Sequence, residues 1–201
     1  MNIDAEMESA LRYQAKAALR KKARALRNSV PAAAIAERSA RIVAALGAID
    51  VFNRAQRVAL FWPIEGRNEV SLVALDGRLR ARGVEVAYPA IDPETREMTF
   101  RLIGDPTQMV ERGLGFREPA ESEPEAERLD VVIVPALQLD ARGHRIGYGA
   151  GFYDRALARF CPPAVAIGVG FDFQLIAEVP VTEGDFALDL VVTDARVLQV
   201  Q

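Results

Sequence analysis

Between residues 145 and 157 the chain reads RIGYGAGFYDRAL: Gly147, Gly149 and Gly151 alternate with Tyr148 and Ala150, and Phe152, Tyr153, Asp154 and Arg155 follow at once. Alternating glycines expose successive backbone N–H groups with no side chain in the way. Beside a helix N-terminus, such donors suit an oxyanion such as phosphate. Arg145 ahead of the loop would add a charge-assisted contact, and Asp154 behind it a hard oxygen for a Mg²⁺ ion that bridges phosphates. The spacing is neither G-x-x-x-x-G-K-[ST] nor G-x-G-x-x-G, because the third glycine comes one position early. The alternative is a glycine-rich turn closing a strand–helix unit, with Phe152 and Tyr153 packing and Asp154 serving as a helix cap.

The elements that must hold this loop are those of an α/β protein. Residues 7–28 show helical periodicity, with Leu11, Ala15, Ala18, Leu19 and Leu26 on one face and Arg12, Lys16, Arg20, Arg24 and Arg27 opposite. Asn28-Ser29-Val30-Pro31 stops that helix and starts a second, which runs to about Gly47. RVALFWP (57–63) reads as a buried strand, 69–82 as a helix ended by Gly83, and VEVAYP (84–89) and EMTFRLI (97–103) as strands. Residues 111–130, rich in acid and proline, read as a solvated loop. LDVVIVPAL (129–137) has the continuous apolar character of a strand covered on both faces. A helix is expected from Asp154 to about Phe160, then strands at 165–171 and 188–193. The alternation predicts a single layered α/β domain, a mainly parallel sheet flanked by helices, with helices 11–47 packed on that core and the order of residues 1–10 left open.

Composition narrows the chemistry. The 201 residues carry a net charge of −3, one cysteine (Cys161) and one histidine (His144). No disulfide framework and no Cys/His zinc cage can be built from these, and an acidic total argues against a general polyanion binder. MNIDAEMESA has neither the basic segment nor the apolar core of a signal peptide, and no apolar run has membrane-spanning length. A cytoplasmic monomer that acts on small molecules, with no nucleic-acid or membrane partner, is the expectation. The seven basic residues between 11 and 29 read as a solvated helix face; the rival is a nucleic-acid contact.

The run VIVPALQLDARGHRIGYGAGFYDRAL resembles the signature of the 5-formyltetrahydrofolate cyclo-ligase family, also called 5,10-methenyltetrahydrofolate synthetases. Lys16-Ala17-Ala18-Leu19-Arg20 is similar to that family's K-x-x-L-R. FWPIEGRNEV (61–70) is similar to its glutamate-bearing strand and turn, and GVGFDFQLIAEVPVTEGDFALDLVVT (168–193) to its C-terminal segment. The resemblance covers nearly all of the chain from residue 16. It implies a sugar-phosphate-isomerase-like architecture, ATP as co-substrate and Mg²⁺ as cofactor. It also implies ATP contacts at Lys16, Arg20, Arg145, Ile146, Gly147, Tyr148, Gly149, Ala150, Gly151, Phe152 and Tyr153. Folate contacts are implied at Trp62, Glu69, Tyr148, Gly149 and Tyr153, with Glu65 as the rival of Glu69. Asp154 and Asp189 are the implied metal ligands, and Arg145 and Asp154 the implied catalytic pair.

Three departures from the family pattern stand out. Ala136 replaces the glycine usual after Val-Pro, and Gln138-Leu139 replaces a small residue and an aromatic, changes expected to reshape the folate pocket. Tyr148 stands where some members have a basic residue. Ala150 replaces a frequent glycine or lysine and needs a negative φ. The reaction implied is ATP-dependent closure of 5-formyltetrahydrofolate to 5,10-methenyltetrahydrofolate through a phosphorylated formyl group. The alternatives are a non-catalytic nucleotide-binding paralogue with an altered folate pocket, and a nucleic-acid module built on the basic N-terminal helix.

Overall fold

The computed structural model describes residues 3–92, 94–111 and 115–200, with side chains from Met7 onward. Part of the expected acidic loop, residues 112–114, lies outside these, as do Met1 and Asn2. Seven strands form the main sheet: β1 (Arg57–Ala59), β2 (Glu85–Ile91), β3 (Met98–Leu102), β4 (Val131–Pro135), β5 (Val165–Val169), β6 (Leu190–Val192) and β7 (Val197–Gln199). Their order is β7-β6-β5-β4-β1-β2-β3. The five inner strands are parallel, and β3 and β7 close the two edges antiparallel. Both faces are covered. Val58, Val86, Val131, Ile133 and Ile167 point to a core shared with Ile42 and Leu46 of helix α2 (Ala32–Gly47), Phe52 of α3 (Asp50–Arg54) and Leu75 and Leu79 of α4 (Val73–Ala81). Ala59, Val132, Val134 and Ala166 point the other way, onto Ala156, Leu157 and Phe160 of α5 (Phe152–Phe160). Alternate residues each meeting a helical layer account for unbroken apolar runs such as VVIV.

Chain order reverses between β1 and β4, and the carboxyl ends of strands at such a reversal leave a crevice. Several expected boundaries shift around it. The strand foreseen over 57–63 pairs only at 57–59; Leu60 bonds once more to Ala87 (2.9 Å), and Phe61 and Trp62 run on toward the crevice. The helix foreseen from residue 69 begins at Val73. The residues before it form a loop with positive φ at Gly66 and Asn68, and the Asn68 amide ties that loop to the carbonyls of Arg27 (3.2 Å) and Val30 (2.9 Å). Within the expected loop 111–130, a two-residue ladder pairs Val110–Glu111 with Arg117–Glu118.

The first helix, α1 (Ile3–Ser29), departs most from expectation. It begins at Ile3, and the face it buries is turned from the apolar one toward the basic stripe: Leu19 still packs on Leu137, Ile146 and Val179, and Ala15 is half-buried. Leu11 and Leu26 are exposed, whereas Lys16, Ala23 and Arg27 are buried. What α1 docks on is a set of carboxylates and loop carbonyls, so the side chains with donors turn inward. The basic stripe read as solvated is thus largely a set of internal contacts.

Candidate active site

A cavity of about 620 Å³ opens at the strand reversal, lined by α1, the β1–α4 connection, the ends of β2 and β4, the glycine loop and residues 182–185. The glycine loop leaves a two-residue ladder (Gln138–Leu139 with Arg145–Ile146) and enters α5 at once. Gly149 (φ 107°) and Gly151 (φ 67°) need glycine, while Ala150 keeps the negative φ its methyl requires. The helix starts two residues before Asp154. Asp154 is therefore not its cap; the carboxylate accepts from Arg145 (2.5 Å) and from the Phe186 N–H (3.2 Å). Arg145 is 8% exposed and also donates to the Phe186 carbonyl (2.7 Å). Burial pulls its guanidinium below the usual arginine range, and the charges of Asp154 and Asp185 act against that pull.

From the other side α1 grips this loop residue by residue. Arg12 donates to the Val181 carbonyl (2.8 Å), Lys16 to Thr182 Oγ1 (2.9 Å) and to Asp185, and Arg20 to the Gly147 carbonyl (3.1 Å). Arg27 donates to the Tyr148 hydroxyl (2.6 Å), which in turn donates to Glu69. Glu69 is 6% exposed and accepts from the Ile64 N–H (2.8 Å), with the Arg27 guanidinium 3.6 Å away. Burial, then the adjacent Glu69 charge, raises the Tyr148 phenol above its usual range. The guanidinium groups of Arg24, Arg27 and Arg67 lie 5.2, 5.9 and 5.6 Å from the Tyr148 ring centroid, so the position that lacks a basic side chain is surrounded by three. Tyr153 has its hydroxyl out of solvent and unbonded among the described residues; burial raises its pKa. Trp62 stands half-buried at the cavity, edge-on to Tyr88 with centroids 6.0 Å apart.

Lys16, Arg20, Trp62, Glu69, Arg145, Gly147 to Tyr153 and Asp154 all line the cavity; Ile146 is buried beneath it with Leu137 and Val179. Glu65, exposed on its turn, does not line it. Asp189 is not brought there either. It is exposed at the amino end of β6, where its carboxylate accepts from the Ala166 N–H (2.7 Å) at the opposite edge of the parallel sheet. Two further carboxylates line the cavity beside Glu69 and Asp154: Glu183 and Asp185, which sequence reasoning passed over; Asp185 is the one that meets Lys16. Its signal was a Thr-x-x-Asp turn in which Asp185 accepts from the Thr182 N–H (2.7 Å). Ala136, Gln138 and Leu139 are also absent from the lining. Leu139 is fully buried against Gly168 and Gly170, and Ala136 lies on a small hollow with Phe61, Glu69 and Pro135, three residues that line the cavity.

No group of three or more Asp, Glu, His or Cys clusters as a metal cage among the described residues. Asp154 and Asp185, both close enough to act on Arg145, offer the one or two carboxylates that Mg²⁺ takes when phosphates supply its other oxygens. That donor set fits Mg²⁺-nucleotide and not a site that holds metal alone.

The model of the 5-formyltetrahydrofolate cyclo-ligase family matches residues 12–194. The 5-formyltetrahydrofolate cyclo-ligase of Escherichia coli K12 is 32% identical over 148 residues, covering 71% of this chain and 80% of that protein. The Mycolicibacterium smegmatis protein of the same name is 40% identical over 94 residues, a match that spans 45% of this chain and 48% of that relative. The solved 5,10-methenyltetrahydrofolate synthetase of Aquifex aeolicus superposes with a TM-score of 0.81 at 26% identity, over 92% of this chain and 93% of that one. A cavity at the strand reversal, the glycine loop beside it and similarity along nearly the whole length place this chain in the 5-formyltetrahydrofolate cyclo-ligase family.

Proposed function

We propose that the chain closes 5-formyltetrahydrofolate to 5,10-methenyltetrahydrofolate at the expense of ATP, with Mg²⁺, releasing ADP and phosphate. The observation that carries this reading is that one cavity is lined both by cationic groups beside the glycine loop (Lys16, Arg20 and Arg145) and by Trp62, Glu69 and Tyr153. The cationic loop suits a triphosphate, and the aromatic and carboxylate lining suits a flat, hydrogen-bonding heterocycle. The reading brings with it a monomeric cytoplasmic enzyme on a sugar-phosphate-isomerase-like scaffold. The turning of α1's arginines onto the protein's own loops speaks against the nucleic-acid alternative.

A formyl oxygen is a weak nucleophile and a poor leaving group, and phosphorylation corrects the second fault. The oxygen attacks the γ-phosphorus and ADP departs. The folate N10 lone pair then adds to the formyl carbon, N10 loses its proton, and the carbon–oxygen bond breaks to free phosphate. Little covalent work falls to the protein; holding the two reactants in line and balancing charge are its tasks. Arg145, buried and dry, neutralises charge on the transferring group, and Lys16 and Arg20 hold the nucleotide against the loop. Glu69, held between Arg27, Tyr148 and the Ile64 N–H, orients the pterin side. Asp154 and Asp185 would hold Mg²⁺, which when bound spreads the negative charge of the phosphates. A near-ultraviolet time course with 5-formyltetrahydrofolate, ATP and Mg²⁺ tests the reading. Growth of the methenyl absorbance that stops when ATP or Mg²⁺ is omitted is the expected result, and a flat trace with both present would overturn it.

A further inference from the structure

Behind the cavity wall lies a buried polar chain that the reaction does not touch. Tyr88 is 1% exposed in β2, on the face of the strand that meets α4; its neighbours Pro89 and Ile91 line the cavity, and it does not. Its hydroxyl donates to Asp76 of α4 (2.8 Å). Burial, then the Asp76 charge, pushes the phenol up, so it stays a donor. Asp76 is 5% exposed, and both its oxygens accept from Arg80 Nε (2.9 Å each), one turn on. Arg80 Nη1 donates in turn to the carbonyls of Ile103 (2.6 Å) and Gly104 (2.9 Å), just past β3.

Stability alone does not ask for these groups. A hydroxyl and an ion pair lose their water in this core, and apolar side chains of the same size would fill it at no greater cost. What the chain of bonds adds is a ring fixed in place and in tilt, tied through Asp76 to α4 and through Arg80 to the end of β3. That ring has a neighbour at the site. Trp62, half-buried where β1 runs on into the cavity, meets it edge-on, with centroids 6.0 Å apart and planes at 66°. An indole that keeps one side open to a ligand has to be held from the side turned to the protein, and Tyr88 stands there.

We propose that Tyr88, tied down by Asp76 and Arg80, is a positioning residue that holds the Trp62 indole in the orientation the folate meets. This rests on the folate reading above and adds to it a residue behind the wall that touches neither substrate.

The test reads the indole before any ligand is added. Trp62 is the single tryptophan, so the decay of its fluorescence anisotropy reports its own freedom. The wild type is compared with Tyr88→Leu, which removes the ring, Tyr88→Phe, which keeps the ring and loses the tie, and Phe52→Leu. Phe52 is 1% exposed in the same core, on α3 ahead of β1 and so by the amino ends of the strands; it controls for packing lost away from Trp62. The wild-type indole should tumble with the protein. Tyr88→Leu should add a fast rotamer component, Tyr88→Phe a smaller one, and Phe52→Leu none. The KM for 5-formyltetrahydrofolate should rise about twofold to tenfold in Tyr88→Leu, the worth of one aromatic pair, and less in Tyr88→Phe, with the KM for ATP within about twofold throughout. Tyr88→Phe strands no charge, because Asp76 keeps Arg80, and it remains decisive if the leucine variant does not fold: a decay equal to that of the wild type would overturn the tie. An indole as fixed in Tyr88→Leu as in the wild type, a freed indole with an unchanged KM for the folate, a KM for ATP that rises in step, or a Phe52→Leu that matches Tyr88→Leu would each overturn the positioning role. A freed indole in Tyr88→Leu with no methenyl product from any protein, wild type included, would support the hold on Trp62 and refute the turnover reading instead.

Discussion

Arg27→Met should destabilise the protein by about 3–5 kcal/mol, the range for removing one member of a buried ion pair. The arginine and Glu69 side chains are each only 4% exposed, and one guanidinium nitrogen serves both Glu69 and the Tyr148 hydroxyl. Methionine fills most of the space, so the cavity contribution is small and the cost is that of a carboxylate left buried without its counter-charge. Glu69 keeps the donors of Ile64 and Tyr148, which places the expectation near the lower end, about 3 kcal/mol. Urea unfolding followed by Trp62 fluorescence reads this directly as a lower midpoint at unchanged slope. The decisive variant is Arg27→Met/Glu69→Gln, which removes the stranded charge as well and should recover at least about 1 kcal/mol over the single change. Arg27→Met within about 1 kcal/mol of the wild type, or a double variant weaker than either single, would refute the argument that this pair holds the loop to α1.

Other substitutions probe the site and its frame. Arg145→Ala should lower kcat/KM for the cyclisation by roughly tenfold to a thousandfold, as for the loss of one charge-stabilising donor, and unchanged kinetics would remove it from the site. Asp154→Asn and Asp185→Asn should weaken Mg²⁺-ATP more than folate in calorimetric titrations, while Asp189→Asn at the far edge of the sheet should leave both unchanged; the reverse ranking would restore Asp189 as a ligand. Asp140 tests a pH effect. Burial alone would raise its carboxyl, but the N–H groups of Val179, His144 and Arg142 carry it below the usual range. A depressed folded value stabilises above the unfolded pKa of about 3.9 and is lost as pH falls through the folded one. Asp140→Asn should therefore cost stability at pH 7, by a margin that shrinks below about pH 4, and a margin constant with pH would contradict this.

The strand–helix alternation was legible because a sheet covered on both faces makes its strands apolar without interruption, and VVIVP (131–135) and VAIGV (165–169) carry that mark in a few residues. Ends were less legible. The apolar run from Arg57 continues through Phe61 and Trp62 into the cavity, where hydrophobicity serves ligand contact and not pairing. Residues 145–154 could be read as a site because their geometry is local: the glycines, the arginine and the aspartate are within ten positions. Glu69 and Lys16 became legible only through resemblance, since nothing local marks a glutamate on a turn or a lysine on a basic stripe.

Hydrophobic periodicity found only part of the buried face of α1, because it counts apolar side chains and cannot know that much of the partner surface is made of carbonyls and carboxylates. Asp185 and Asp189 are four positions apart in similar company, and only the start of β6 at Leu190 sends one to the cavity and the other to the opposite edge. The sequence alone thus determined the layers, the glycine loop and the kind of chemistry that loop serves, all of which depend on contacts between near neighbours. The tertiary structure decided which charges face one another across α1, the glycine loop, Glu69 and residues 181–185. Most of those meetings join residues more than a hundred positions apart, such as Arg27 with Tyr148, and no short-range pattern encodes which carboxylate a given arginine will reach.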